Sequence, residues 1–133
     1  MALVIGGYYQ GKLDYVLSNF NVCNDDILDC SSIILDFNNC FMKNINEKKV
    51  IYNLDKFILD IIDEEKNIVA LFESNMGVFQ DKIIIVNDIS SGIVPIDEKL
   101  RLWREEVGRI LNVLSRNANS VVRVFCGIGT VIK

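Results

Sequence analysis

Gly6, Gly7, Tyr8, Tyr9, Gln10, Gly11 and Lys12 follow directly on the apolar run Met1 to Ile5. A glycine, four residues, a glycine and a lysine behind a buried strand is the spacing of a phosphate-binding loop, whose backbone N–H groups and lysine surround the phosphates of a nucleotide. In such a loop Lys12 meets the terminal phosphates as a charge, while Gly6, Gly7 and Gly11 let the backbone approach. The next position should carry a hydroxyl for magnesium, and here it is Leu13. A metal would therefore depend on water, phosphate and a carboxylate. Tyr8 and Tyr9 place two rings inside the loop, where they either stack on a base or plug the pocket.

Two carboxylates are the candidates for metal binding and for proton transfer. Asp36 ends the apolar stretch that starts at Ser32, and Asp88 follows the run Lys82 to Asn87. Ligands in open α/β sheets gather at the carboxyl ends of strands, where a carboxylate can orient a metal-bound water or accept a hydroxyl proton. The plainer role for either is the polar end of a strand. Arg104 lies near the start of a helix, in reach of a phosphate bound across the loop, whereas Arg101 and Arg109 read as a solvated helix face.

These groups need a sheet and helices to position them. The run from Ala2 to Ile5 suits a buried parallel strand, and Leu13, Val16, Leu17 and Phe20 carry a helix from Lys12 to Phe20. Residues 21 to 32 read as a connection, and Ser32 to Phe37 as a second strand. Asn38 to Ile45 is a candidate short helix, and Val50, Ile51 and Tyr52 form a small apolar patch in a polar segment. The spacing of Phe57, Ile58, Ile61, Ile62, Ile68, Val69 and Phe72 predicts a long helix from Asp55 to Asn75. A break at Asn67 followed by an extra strand is the competing expectation.

Lys82 to Asn87 is β-branched on both faces, as a strand covered on both sides should be. Asp97, after Pro95, is an N-cap for a helix to Asn117 that presents Leu100, Trp103, Val107, Ile110, Leu111 and Leu114 to the core. Ser120 to Cys126 forms another strand, and Thr130 to Lys133 a short antiparallel one at the sheet edge. The expected architecture is a three-layer α/β fold with a mainly parallel sheet of about five strands, in one domain.

Composition narrows the function. The 133 residues are 50% hydrophobic with a single proline, which describes an ordered chain with a sizeable core. A net charge of -4 gives no electrostatic reason to expect nucleic acid or an anionic membrane surface. The cysteines, Cys23, Cys30, Cys40 and Cys126, form no CxxC pair and read as reduced thiols of a cytoplasmic protein. The absence of histidine removes imidazole as base, nucleophile and metal ligand.

Beyond the strand at residue 87 the chain becomes more specific. The run Val86 to Pro95, with Arg101, Trp103, Arg104, Glu105, Glu106, Gly108 and Arg109, resembles the adenosylcobinamide kinase/adenosylcobinamide-phosphate guanylyltransferase family of cobalamin biosynthesis. The initial strand with Gly6, Gly7, Gly11 and Lys12 is similar to the start of that family, and the ending Gly127, Ile128, Gly129 fits as well.

The resemblance implies a P-loop nucleoside-triphosphate-binding fold, usually a homotrimer, that phosphorylates the aminopropanol hydroxyl of adenosylcobinamide with ATP or GTP. A second reaction transfers GMP to that phosphate through a guanylylated histidine. By match Lys12 is the phosphate-loop lysine, Asp36 falls at the acidic strand end, Asp88 replaces a glutamate and Arg104 keeps the arginine of the helix signature. Departures fall on the chemistry. Leu13 stands for the hydroxyl residue, Leu111 and Asn112 replace an asparagine-glutamine pair, and the segment that would hold the histidine is shortened. The expectation is a nucleotide-binding protein of this family whose kinase chemistry is weakened or lost and which, lacking histidine, does not carry out guanylyltransfer in the family's way. The alternative is a catalytically inactive nucleotide-binding or assembly protein on the same fold.

Overall fold

The computed structural model describes residues 1–32 and 41–133. The expected second strand falls almost wholly outside the described residues, as do Asp36 and Cys40. Ser32, its one described member, is a bend.

The sheet has six strands, β1 (Ala2–Gly6), β2 (Ile27–Asp29), β3 (Val50–Tyr52), β4 (Ile83–Asn87), β5 (Ser120–Phe125) and β6 (Ile128–Val131), in the order β2-β3-β4-β1-β5-β6. All neighbours are parallel except β5 and β6. The sheet is thus mainly parallel with an antiparallel C-terminal edge strand, as the sequence predicts, but β2 and β3 are strands where the sequence predicts a connection and a polar segment. Each is three residues long. Strands this short carry no readable alternation. Pairing on the sheet stabilises them, with β2 on β3 and β3 on β4.

Alternation along the longer strands sorts the core into two layers. Leu3, Ile84, Val86 and Val121 face one side, beneath helix α6 (Glu98–Asn117) and helix α3 (Leu54–Ile61). Val4, Ile85, Val122 and Val124 face the other, beneath helix α1 (Lys12–Asn19), whose Val16 is fully buried. A short helix α2 (Met42–Glu47) precedes β3. Asp97 caps α6 by accepting a hydrogen bond from the Leu100 N–H at 2.9 Å. Leu100, expected in the core, is exposed, because it lies in the first turn of α6 next to the loop.

The long helix predicted over residues 55–75 is divided into α3, α4 (Ile68–Ser74) and α5 (Met76–Phe79). Asn67, whose short side chain competes for backbone N–H groups, serves as an N-cap and accepts from the Ala70 N–H. The segment after the break is helical, so the competing strand is not formed. The last strand begins earlier than expected because Cys126 and Gly127, with φ of 50° and 77°, form a two-residue turn.

Between β1 and β4 the connections part. β1 leads toward β2 on one side, and β4 leads past β1 to β5 on the other. The following helices, α1 and α6, lie on opposite faces. This is the switch point at which α/β sheets open a crevice, and Gly6 and Asn87 pair at its floor.

Candidate functional site

The loop leaving β1 is shaped by its neighbours. A Cβ on Gly6 would lie 2.3 Å from the Val124 carbonyl oxygen of β5, so no side chain fits there. Gly11 takes a φ of 78° as the N-cap of α1, a conformation that glycine adopts without strain. Tyr9 also has a positive φ, 58°, and its ring stands in solvent. Gln10 ties the loop to the β5–β6 hairpin: its side-chain oxygen accepts from the Cys126 N–H at 2.8 Å, and its carbonyl accepts from the Gly127 N–H at 2.9 Å.

Lys12 is the first residue of α1 and is 5% exposed. Its ammonium donates to the Gly7 carbonyl at 2.6 Å, spanning the loop from inside. Burial pulls its pKa below the ordinary lysine value, and the Asp55 charge opposes that shift. Among the described residues, none accepts a hydrogen bond from the N–H groups of Tyr8 to Lys12. A lysine, free N–H groups and a helix N-terminus converge here, an arrangement that an anion can fill.

The cleft above the loop has a volume of about 570 Å³. Tyr8, Tyr9, Gln10, Gly11, Lys12, Leu13 and Asp14 line one side of it, and Ser31, Tyr52, Asn53, Lys56 and Asn87 the other. Tyr8 is part of the wall, and Tyr9 points away from the protein, so neither ring fills the space.

A polar chain runs along the carboxyl edge of the sheet behind this cleft. Asp29 at the end of β2 accepts from the Asn53 amide at 3.0 Å, and Asn53 in turn accepts from the Asn87 amide at 3.2 Å. The Asn87 amide also donates to both oxygens of Asp55, and the Asn87 N–H adds a bond of 3.1 Å to one of them. The Asp55 carbonyl accepts from the Trp103 indole at 2.6 Å. Asp55 is fully buried. The sequence reading passed over it as a helix start, although an acidic residue on the same stripe as Ile58 and Ile62 is a signal in itself.

Asp88 and Arg104 do not line this cleft. The Asp88 N–H donates to the Gly6 carbonyl at 2.9 Å, but its carboxylate turns to its own loop, accepting from the Ser90 N–H and hydroxyl and from the Ser91 hydroxyl. Burial raises its pKa, yet those hydrogen bonds outweigh burial and hold it below the ordinary aspartate value. Arg104 donates to the Ser90 carbonyl, and its buried Nη1 has no partner among the described residues. Asp88, Arg104 and Tyr8 line a smaller, mostly apolar pocket of about 200 Å³ against Trp103.

Among the described residues, which do not include Asp36, the donors around the cleft do not fit a magnesium ion. Leu13 has no oxygen and packs against the core beneath α1. Both Asp55 oxygens are taken by Asn87, and both Asp88 oxygens by serines. Asp14, exposed at the rim, is the only acidic side chain among the described residues that line the cleft. Among the described residues, no group of three or more His, Cys, Asp or Glu side chains is placed to hold a metal. Nor is any helix among them long and apolar enough to cross a membrane.

No curated protein matches the chain. A family model described as cobinamide kinase / cobinamide phosphate guanyltransferase matches residues 10–132, from the last turn of the glycine loop to the edge strand. With nearly its whole length matched and the glycine loop at the switch point of its sheet, the chain belongs to the cobinamide kinase / cobinamide phosphate guanyltransferase family.

Proposed function

We propose that the protein binds a nucleoside triphosphate, ATP or GTP, in the cleft above the β1–α1 loop and transfers its terminal phosphoryl group to a hydroxyl of a cobinamide. The observation that carries this reading is Lys12. A buried ammonium inside a glycine loop, at the N-terminus of a helix and at the switch point of a parallel sheet, is arranged for the charge of a phosphate. Gly6, Gly7 and Gly11 keep side chains out of its way, Tyr8, Tyr9, Gln10 and Leu13 complete the binding loop, and Asn87 closes the floor. Arg104 and Asp88 edge the neighbouring pocket, where an acceptor would lie beside the loop, and Asp36 is the remaining candidate carboxylate.

Guanylyl transfer through histidine has no nucleophile within these residues, since the chain holds no histidine. A second reading is a binder without catalysis. It is favoured by the Asp88 carboxylate, whose oxygens are taken up by serines and do not face the cleft.

Calorimetric titration with ATP and GTP tests the site. Lys12→Ala is expected to weaken triphosphate binding at least tenfold, the loss that follows from removing a charge-assisted contact of about 1.5 to 3 kcal/mol. Unchanged affinity would sink the assignment. Phosphate transfer to cobinamide by the parent protein, absent in Lys12→Ala, separates the kinase from the binder.

A further inference from the structure

The cleft holds a second cation that the sequence did not bring to notice. Lys56, in the first turn of α3, lines the wall opposite Lys12. Its ammonium lies 4.9 Å from the centre of the Trp103 ring and 5.4 Å from that of Tyr8. Both distances are within the range in which a ring face attracts a cation. Among the described residues, its Nζ makes no hydrogen bond and no ion pair within 4.0 Å. An ammonium held by two ring faces keeps its N–H donors for something else, because a ring neutralises none of its charge.

We infer that Lys56 is a second phosphate-binding cation, supplying at the wall of the cleft part of the positive charge that Leu13 does not recruit through a metal. The inference rests on the reading of the glycine loop as a nucleotide site. A triphosphate brings several negative charges into a cleft that offers a single acidic side chain at its rim, so two lysines on opposite walls give a matched countercharge. Tyr8 gains a role at the same time. Its ring, part of the loop, fixes the direction of the Lys56 stem and couples the position of that ammonium to the loop. Lys56 is a point charge with three donors on a flexible stem, suited to phosphate oxygens whose position varies between bound and free nucleotide.

The test is titration in EDTA, so that no metal contributes, with ATP and AMP as probes on the parent protein, Lys12→Ala, Lys56→Gln and Lys56→Arg. Lys56→Gln keeps the first two methylenes of the stem and removes the charge. It is expected to weaken ATP about tenfold, the equivalent of one charge-assisted contact, and AMP much less. Lys56→Arg is expected to restore most of the ATP affinity. Equal ATP affinity in Lys56→Gln and parent, with Lys12→Ala still weak, overturns the role of Lys56 and leaves the nucleotide site standing. Equal losses in Lys56→Gln and Lys56→Arg also overturn it, showing that the lysine acts by packing. Failure of the parent to bind ATP or GTP at all overturns the nucleotide reading and this inference with it.

Discussion

The two loops that leave the switch point side by side are held by different means. The β1–α1 loop is packed against the sheet and tied to the β5–β6 hairpin. Gly6 lies against the Val124 carbonyl, Gln10 is bonded to the hairpin turn, and Lys12 is bonded to Gly7 from within. The β4–α6 loop, residues 88–97, is fixed by side chains. Asp88 collects two serines, while Arg101 reaches the Pro95 and Ile96 carbonyls and Arg104 reaches that of Ser90. Ile93 and Ile96 are each 96% exposed, so no core anchors the middle of this loop. A loop that must present N–H groups at fixed positions is set by the sheet itself, whereas a loop held by exchangeable polar contacts can rearrange around a ligand.

Removing what lies behind both loops should have the largest effect. Asp55→Ala strands the Asn87 amide and N–H in the interior, and a loss of about 4 kcal/mol in urea unfolding is expected, with Asp55→Asn recovering part of it. Gly6→Ala comes next. Its methyl group meets a backbone oxygen that cannot rotate away, and about 3 kcal/mol should be lost together with nucleotide affinity. Retained stability in Gly6→Ala would show that β5 yields and that the glycine loop is less rigid than its partner.

Asp88→Ala should cost the least, about 1 kcal/mol at neutral pH, since only exposed serines lose an acceptor. Its pH dependence sharpens the contrast. The Asp88 pKa is lowered by folding, so its contribution is complete above the unfolded aspartate value and fades as pH falls through the folded one. Urea midpoints of parent and Asp88→Ala should therefore differ near neutrality and converge in acid below the ordinary aspartate range. A gap that persists there would mean that the loop does not depend on the carboxylate.

Where one element decides its own structure, the sequence was readable. β1, β4 and α6 carry enough consecutive or periodic apolar residues to be placed within a residue or two, and the glycine spacing located the loop. β2 and β3 were passed over because three residues gain their stability from neighbours distant in sequence. The division of the long helix was foreshadowed at Asn67, but periodicity on either side of it could not tell one helix from two. Asp55 and Lys56 show the deeper difficulty. They are adjacent in sequence and both polar, yet one is fully buried against Asn87 while the other lines the cleft against two rings. Only the packing of α3 against β4 and α6 assigns them opposite fates.

The hairpin that anchors Gln10 has a consequence for how the protein is made. β1 pairs with β4 and β5 on its two sides, and the loop after it is bonded to the turn at residues 126–127. The glycine loop therefore waits for a hairpin made more than a hundred residues later before it can take shape. Folding must close contacts that span more than a hundred residues, as between Gln10 and Cys126, which are 116 positions apart. Such long-range closure slows folding and leaves an apolar strand without partners during synthesis.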